Sequence, residues 1–153
     1  MEPLRKSHIE IGKIYFWTAT ISKWIHLLQD DKYKEIIISS LEYLSGKCLV
    51  DVFGFVIMPN HIHLILRLNK MNGKEKPTTS LLKYTAHEFR KMKNTHVRKQ
   101  FAVDASNKQF EFWQRDSLAV ELYSSLALVR VLTNLPLYHL QERKLTFHCN
   151  GTA

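Results

Sequence analysis

The sequence predicts an α+β fold in which a four-stranded antiparallel sheet carries helices on one face and a C-terminal helix follows. Three observations predict it. Short β-branched and aromatic segments alternate with amphipathic segments of helical period. A tight turn joins two of the strand segments, and the segments follow the order β-α-β-β-α-β. The length of 153 residues suits a single domain over 1–153.

The first half of the chain contains three strand segments and one helix. Ile14–Ser22 is β-branched and aromatic and predicts the first strand. A helix is expected from Lys32 to Leu44, because its apolar residues recur at helical spacing. Leu49–Ile57 and His61–Leu68 predict two further strands. The intervening Met58-Pro59-Asn60 supplies turn chemistry, so these strands should form an antiparallel hairpin.

The second half contains a helix, a strand and a last helix. Asn69–Pro77 is polar and predicts a loop, and Thr78–Lys93 predicts an amphipathic helix. Asn94–Lys108 has no clear period and predicts a long loop. Leu118–Tyr123 predicts the fourth strand, and a helix capped by Ser124 should follow. The order is that of a split βαβ, ferredoxin-like sheet. That fold hosts many functions, so the function must be argued from the site.

The composition restricts the partners and the compartment. The formal charge of +8 and a pI near 9.5 favour a polyanionic partner such as nucleic acid. The alternative is a basic protein without such a partner. Cys48 and Cys149 lack a CxxC spacing, which predicts neither a disulfide framework nor a zinc-thiolate site and fits a reducing cytoplasm. No apolar run has the length of a membrane span, and no secretory signal is present. We therefore expect a cytoplasmic protein without a membrane partner.

His61 and His63 are the most informative residues of the sequence. Alternate side chains of a strand point to the same face, so the two imidazoles should lie side by side. Two neutral imidazoles form a chelate for a divalent ion. The alternative is a pair of polar residues on the exposed face of a sheet. The preceding Pro59-Asn60 and the apolar strand that follows favour a positioned site.

Three segments resemble blocks of a known family. Val56–Ile65 resembles the HUH block (histidine, hydrophobic residue, histidine) of single-tyrosine transposases, in particular the REP-associated tyrosine transposases. Tyr15–Thr20 resembles the first strand of that family, and Phe112–Asp116 resembles its later Trp-Gln block. The resemblance covers roughly residues 12–123. Because the three blocks occur in the family's order, their combination is more specific than any one of them.

The resemblance implies a mechanism. A tyrosine on the C-terminal helix attacks a phosphodiester of single-stranded or hairpin DNA and leaves a 5′-phosphotyrosine and a free 3′-hydroxyl. A divalent metal, Mg²⁺ or Mn²⁺, is held by the two histidines and a third polar ligand and polarises the phosphate. Members of the family are typically homodimers. His61 and His63 would be the two histidine ligands.

Residues 124–153 depart from the family pattern. Relatives carry Tyr-Ile-x-x-Asn-Pro there, whereas no tyrosine stands at the matching place before Pro136. Tyr138 is the candidate nucleophile, and Glu142 would share its face of a helix as the third metal ligand. The alternatives are Tyr123 as nucleophile, or a Tyr138 that only packs near the terminus. A frameshifted or decayed copy of a mobile element would explain the departure.

Basic and aromatic residues supply candidate DNA contacts. The basic residues of the second helix bind phosphates or form a solvated face. The tryptophan and the arginine of the Trp-Gln block are expected to stack on or contact an unpaired base. The alternative for the tryptophan is a place in the core, where such residues more often lie. These candidates are Lys83, Arg90, Lys91, Trp113 and Arg115. Three functions remain compatible with the sequence: a transposase, a DNA-binding remnant of one, and an unrelated metal-dependent hydrolase.

Overall fold

The structure is a computed structural model that describes residues 8–134. Ten strands and helices follow one another in this part of the chain, with two short 3₁₀ turns, Ser22–Trp24 and Leu27–Gln29, between the first two elements. The elements are β1 (Ile14–Thr20), α1 (Asp31–Gly46), β2 (Val50–Ile57), β3 (His61–Leu68), α2 (Pro77–Lys91), α3 (Thr95–Gln100), β4 (Ala102–Ala105), β5 (Lys108–Phe110), β6 (Leu118–Glu121) and α4 (Ser125–Asn134).

Four strands form one antiparallel sheet in the spatial order β2-β3-β1-β6. A crossover through α1 places β1 beside β3 rather than beside β2, and α2 precedes the return to the other side of β1. This is the arrangement of a split βαβ, ferredoxin-like sheet, and it confirms the predicted fold class. β4 and β5 form a separate two-stranded hairpin.

The side chains of β3 alternate between the two faces of the sheet. Its residues Ile62, Leu64, Leu66 and Leu68 are at most 1% exposed and belong to the hydrophobic core. The core also contains the buried sides of α1 and α2, so both helices cover this face. The odd-numbered residues of β3 point to the other side of the sheet, which we call the open face. Ile65 on this face is fully buried. His61 and His63 lie on the open face and are half-buried.

Residues 94–108 correct the sequence prediction, because they form α3 and the β4–β5 hairpin instead of a long loop. The Asn94 side chain caps α3 by accepting a hydrogen bond from the Val97 N–H (3.2 Å). Phe101 is fully buried and anchors the segment. A helix of six residues and strands of three and four are too short to display a recognisable period.

Trp113 lies in the core. Only 6% of it is exposed, and its indole N–H donates a hydrogen bond to Thr85 Oγ1 at 3.0 Å. Phe89 packs against the same indole, with ring centroids 6.1 Å apart. The structure therefore favours the core role for Trp113 and corrects the expectation that it stacks on DNA, because its ring is covered by α2.

Cys48 corrects a second expectation. It is disulfide-bonded, although the cysteine spacing predicted no disulfide. Cysteine spacing along the chain alone does not decide whether a disulfide forms. None of the helices within residues 8–134 is long and apolar enough to cross a membrane.

We expect the hydrogen bond between Trp113 and Thr85 to stabilise the packing of α2. The nearly isosteric Thr85→Val leaves the buried indole N–H without an acceptor, which should lower the free energy of unfolding by about 1–3 kcal/mol. Thr79→Val makes the same chemical change at an exposed position of α2 and should alter it by less than about 0.5 kcal/mol. Urea denaturation measures both, and equal stabilities of the two variants would contradict the assignment.

Candidate functional site

The two histidines lie near one end of the central strands. His61 pairs with Thr20 of β1, and His63 pairs with Thr18. Their ring centroids are 4.7 Å apart and the rings meet edge to face at 78°. The alternation of β3 thus places both imidazoles side by side on the open face.

Two residues of β1 hold the His63 ring. Phe16 stacks on it with centroids 5.0 Å apart and an angle of 20° between the planes. Thr18 Oγ1 lies 2.8 Å from His63 Nδ1. Burial, with a smaller contribution from the neighbouring His61, lowers the pKa of His63 to about 4. Burial also lowers the pKa of His61. Both rings are therefore neutral near pH 7 and carry a free lone pair, as a metal ligand must.

Asn60 determines which nitrogen of His61 is free. Its Oδ1 lies 2.7 Å from His61 Nδ1, and a carboxamide oxygen only accepts hydrogen bonds. The proton of His61 therefore sits on Nδ1, and the lone pair is on Nε2. Histidines that bind metals usually donate the other ring N–H to an oxygen in this way. At His63 the Thr18 hydroxyl is able to play the same part.

Sequence reasoning missed Thr18 and Asn60 as site residues. Asn60 adjoins His61 in the chain, so its proximity was a usable signal. Thr18 lies 45 residues from His63. Its position depends on the register of β1 against β3, which the sequence did not establish.

The available ligand atoms can be compared with those that each divalent ion prefers. No group of three or more His, Cys, Asp or Glu residues within 8–134 is placed to hold a metal. The described part of the chain therefore offers two imidazole nitrogens. Nitrogen ligands suit first-row transition ions better than Mg²⁺, which prefers oxygen. Of the two ions predicted, Mn²⁺ fits this pair better.

The structure describes one of the three residues predicted as nucleophile or third metal ligand. Tyr138 and Glu142 lie outside the described residues. Tyr123 is 85% exposed and follows β6, where the N–H of its neighbour Leu122 bonds to Ile14 O. Ile14 is four residues before Thr18, the strand partner of His63, and this separation is about 13 Å along a strand. The structure does not bring Tyr123 to the histidine pair within one chain.

The basic residues of α2 lie on the opposite side of the sheet from the histidines, because α2 packs on the core face. Lys83 forms an ion pair with Glu75, and Lys91 forms one with Glu88. Arg90 lies over the Phe110 ring, with its guanidinium carbon 5.2 Å from the ring centroid. The sheet thus separates these three cations from the candidate metal site.

Arg115 lies closer to the histidines in the fold. The preceding Gln114 donates its backbone N–H to Thr20 O (2.8 Å), and Thr20 pairs with His61. The Arg115 side chain is 75% exposed, and its Nε is 3.6 Å from a carboxylate oxygen of Glu111. Among the predicted basic DNA contacts of the described residues, Arg115 is therefore the one joined through its neighbour to the histidine end of the sheet.

The fold is similar to two solved structures. A REP-associated tyrosine transposase bound to a REP hairpin superposes with a TM-score of 0.53 at 15% identity, over 86% of this chain and 68% of the other. A candidate transposase from Deinococcus radiodurans R1 gives 0.46 at 14% identity, over 85% of this chain and 94% of the other. The sequence matches no protein-family model and no curated protein. The first likeness shows that the chain shares its fold with a tyrosine transposase.

We expect Asn60 to control the tautomer of His61. In the metal-free protein, the ring nitrogens of His61 should show the proton on Nδ1 in ¹H–¹⁵N NMR spectra. Asn60→Ala removes the acceptor and should shift His61 toward protonation at Nε2. The exposed His87 of α2 serves as an internal control and should not change. An unchanged His61 tautomer in the variant would show that Asn60 does not set it.

Proposed function

We propose that the protein is a transposase-type enzyme that binds single-stranded or hairpin DNA and cleaves and rejoins it by metal-assisted attack of a tyrosine. The observation that carries the proposal is the pair His61 and His63. Both rings are neutral, both Nδ1 atoms have an oxygen partner, and both lie on the open face of a sheet. The shared fold and the hairpin bound by the similar transposase support it.

The proposed chemistry assigns a task to each group. The tyrosine oxygen attacks the phosphorus, the 3′-oxygen leaves, and the phosphotyrosine ester keeps the bond energy for rejoining. A bound divalent ion, Mn²⁺ or Mg²⁺, supplies polarisation of the scissile phosphate. His61 and His63 would hold the ion, while Thr18 and Asn60 orient the two rings. Tyr138 as nucleophile and Glu142 as third ligand belong to the proposal and lie outside the described residues.

The proposal also includes the partners. DNA would approach the open face, where Arg115 adjoins the histidine end and offers a phosphate contact. Lys83, Arg90 and Lys91 add to the net charge that attracts DNA at long range. A homodimer, in which the tyrosine of one copy reaches the histidines of the other, and a cytoplasmic location complete the proposal.

A second candidate is a DNA-binding protein that has lost the nucleophile. The position of Tyr123 favours it, because the nearest tyrosine after β6 is about 13 Å along the strand from the partner of His63. This candidate keeps the sheet and the DNA surface, and it binds DNA without cutting it.

Removal of either histidine should weaken metal binding. We expect His61→Ala and His63→Ala each to reduce the affinity for Mn²⁺ by at least about 10-fold, the effect seen even for weaker perturbations of metal sites. His87→Ala removes an exposed histidine on the helix side and should leave the affinity unchanged. Titration with Mn²⁺ followed by electron paramagnetic resonance measures the free ion. Equal affinities in all three variants would exclude the pair as the metal site.

The reaction should leave a covalent protein–DNA adduct. A hairpin-bearing oligonucleotide labelled at its 3′ end retains the label on the tyrosine, since the 5′-phosphate side becomes attached. With Mn²⁺, we expect a labelled, denaturation-resistant adduct that Tyr138→Phe abolishes and Tyr123→Phe preserves.

The other outcomes separate the alternatives. DNA binding without an adduct in the unaltered protein would favour the remnant. A free 5′-phosphate without an adduct would indicate a hydrolase. An adduct that survives Tyr138→Phe would exclude Tyr138 as the nucleophile.

A further inference from the structure

Trp24 is largely exposed, unlike the two other tryptophans of the chain. Its exposed fraction is 61%, whereas Trp17 and Trp113 are 1% and 6% exposed. These three are all the tryptophans of the chain. An indole gains free energy when it is buried, so an exposed one is a candidate for contact with a ligand.

The backbone that presents Trp24 is strained. Lys23 and Trp24 are consecutive non-glycine residues with positive φ, 57° and 56°. The left-handed region is unfavourable for residues with a Cβ, and such residues cluster at ligand-binding sites. Several hydrogen bonds hold the turn. Among them, the Trp24 N–H donates to Ile21 O (3.1 Å), and Lys23 Nζ donates to Gln100 O (2.9 Å).

The turn lies at the histidine end of the sheet. Ile21 donates its N–H to Asn60 O (2.8 Å), directly before His61. Trp24 follows Thr20, the partner of His61, by four residues, so their Cα atoms are at most about 15 Å apart. An indole at this place is within reach of a strand whose phosphate is held at the histidine pair.

The turn carries a cation of its own, Lys23, and lies against α3. α3 contains Arg98 and Lys99 and no acidic residue, and the Arg98 guanidinium lies over the Phe110 ring. Ile25 and His26, which follow Trp24, line an open cleft of about 530 Å³ together with Asp30 and with Val97 and Gln100 of α3. An exposed aromatic ring with a lysine next to it in the chain is a combination that binds single-stranded nucleic acid.

We propose that Trp24 stacks on an unpaired base of single-stranded DNA and so positions the strand beside the His61–His63 pair. The inference rests on the proposed function and deepens it. Lys23 takes a phosphate of the strand, and the strained turn keeps the indole exposed in the free protein. Because stacking is tolerant of sequence, Trp24 contributes affinity for single strands rather than base identity.

The test uses the full chain without metal, so that binding is measured without cleavage. Trp24→Ala should weaken binding of a fluorescently labelled oligothymidylate by about 5- to 150-fold, and Trp24→Phe should restore most of it. Tyr43→Ala is the matched control, because Tyr43 is 62% exposed on α1, which covers the core face of the sheet. It should leave the affinity unchanged.

Intrinsic fluorescence provides a second readout that needs no variant. Trp17 and Trp113 are buried, so iodide should quench mainly Trp24. Bound oligothymidylate should quench the emission and protect the remainder from iodide.

Two outcomes would overturn the inference while leaving the proposed function intact. One is equal affinity of the Trp24→Ala and unaltered proteins. The other is tight binding with undiminished iodide quenching. A Trp24→Ala variant that binds DNA normally but changes its oligomeric state would assign the ring to a second copy of the chain. If the unaltered protein binds no DNA, the proposed function fails as well.

Discussion

The alternation of β3 is the constraint on which both the core and the candidate site depend. Its even-numbered residues supply four leucine or isoleucine side chains to the core, and its odd-numbered residues include both histidines. A shift of one residue in register would exchange the two sets and bury two imidazoles without partners. Pairing with β1 on one side and β2 on the other, together with the burial of Ile62 and Leu64, therefore fixes where the histidines lie.

The same packing sets the electrostatics of the pair. Phe16 covers one face of the His63 ring and removes water from it, which disfavours the charged form. A protonated pair would also repel itself, since the two rings are in contact. The structure thus keeps both rings neutral through apolar contact rather than through a neighbouring cation. Under the proposed function, an incoming metal ion would find lone pairs instead of protons that must first be displaced.

Much of this fold followed from periodicity, whereas much of the site required three-dimensional information. The period of two in His61–Leu68 predicted that the histidines would share a face. The helical period of α2 predicted an amphipathic helix but not the side of the sheet on which it packs, so the separation of Lys83 from the histidines was not foreseen. Thr18 became a site residue only through strand register. The strained turn at Trp24 has no glycine or asparagine that would announce a positive φ.

The sheet separates the basic residues of α2 from the two histidines, and this separation bears on where DNA would bind under the proposed function. The cations of α2 already have carboxylate, amide or aromatic partners and lie behind the sheet, so they contribute charge more than geometry. At the His61 end, by contrast, the turn after β1 and the segment around Gln114 both hydrogen-bond to the central strands. The segments that carry Trp24 and Arg115 are therefore both joined by backbone hydrogen bonds to the histidine end of the sheet. Under the proposed function, this end, rather than the basic helix, would be the surface along which a single strand is positioned.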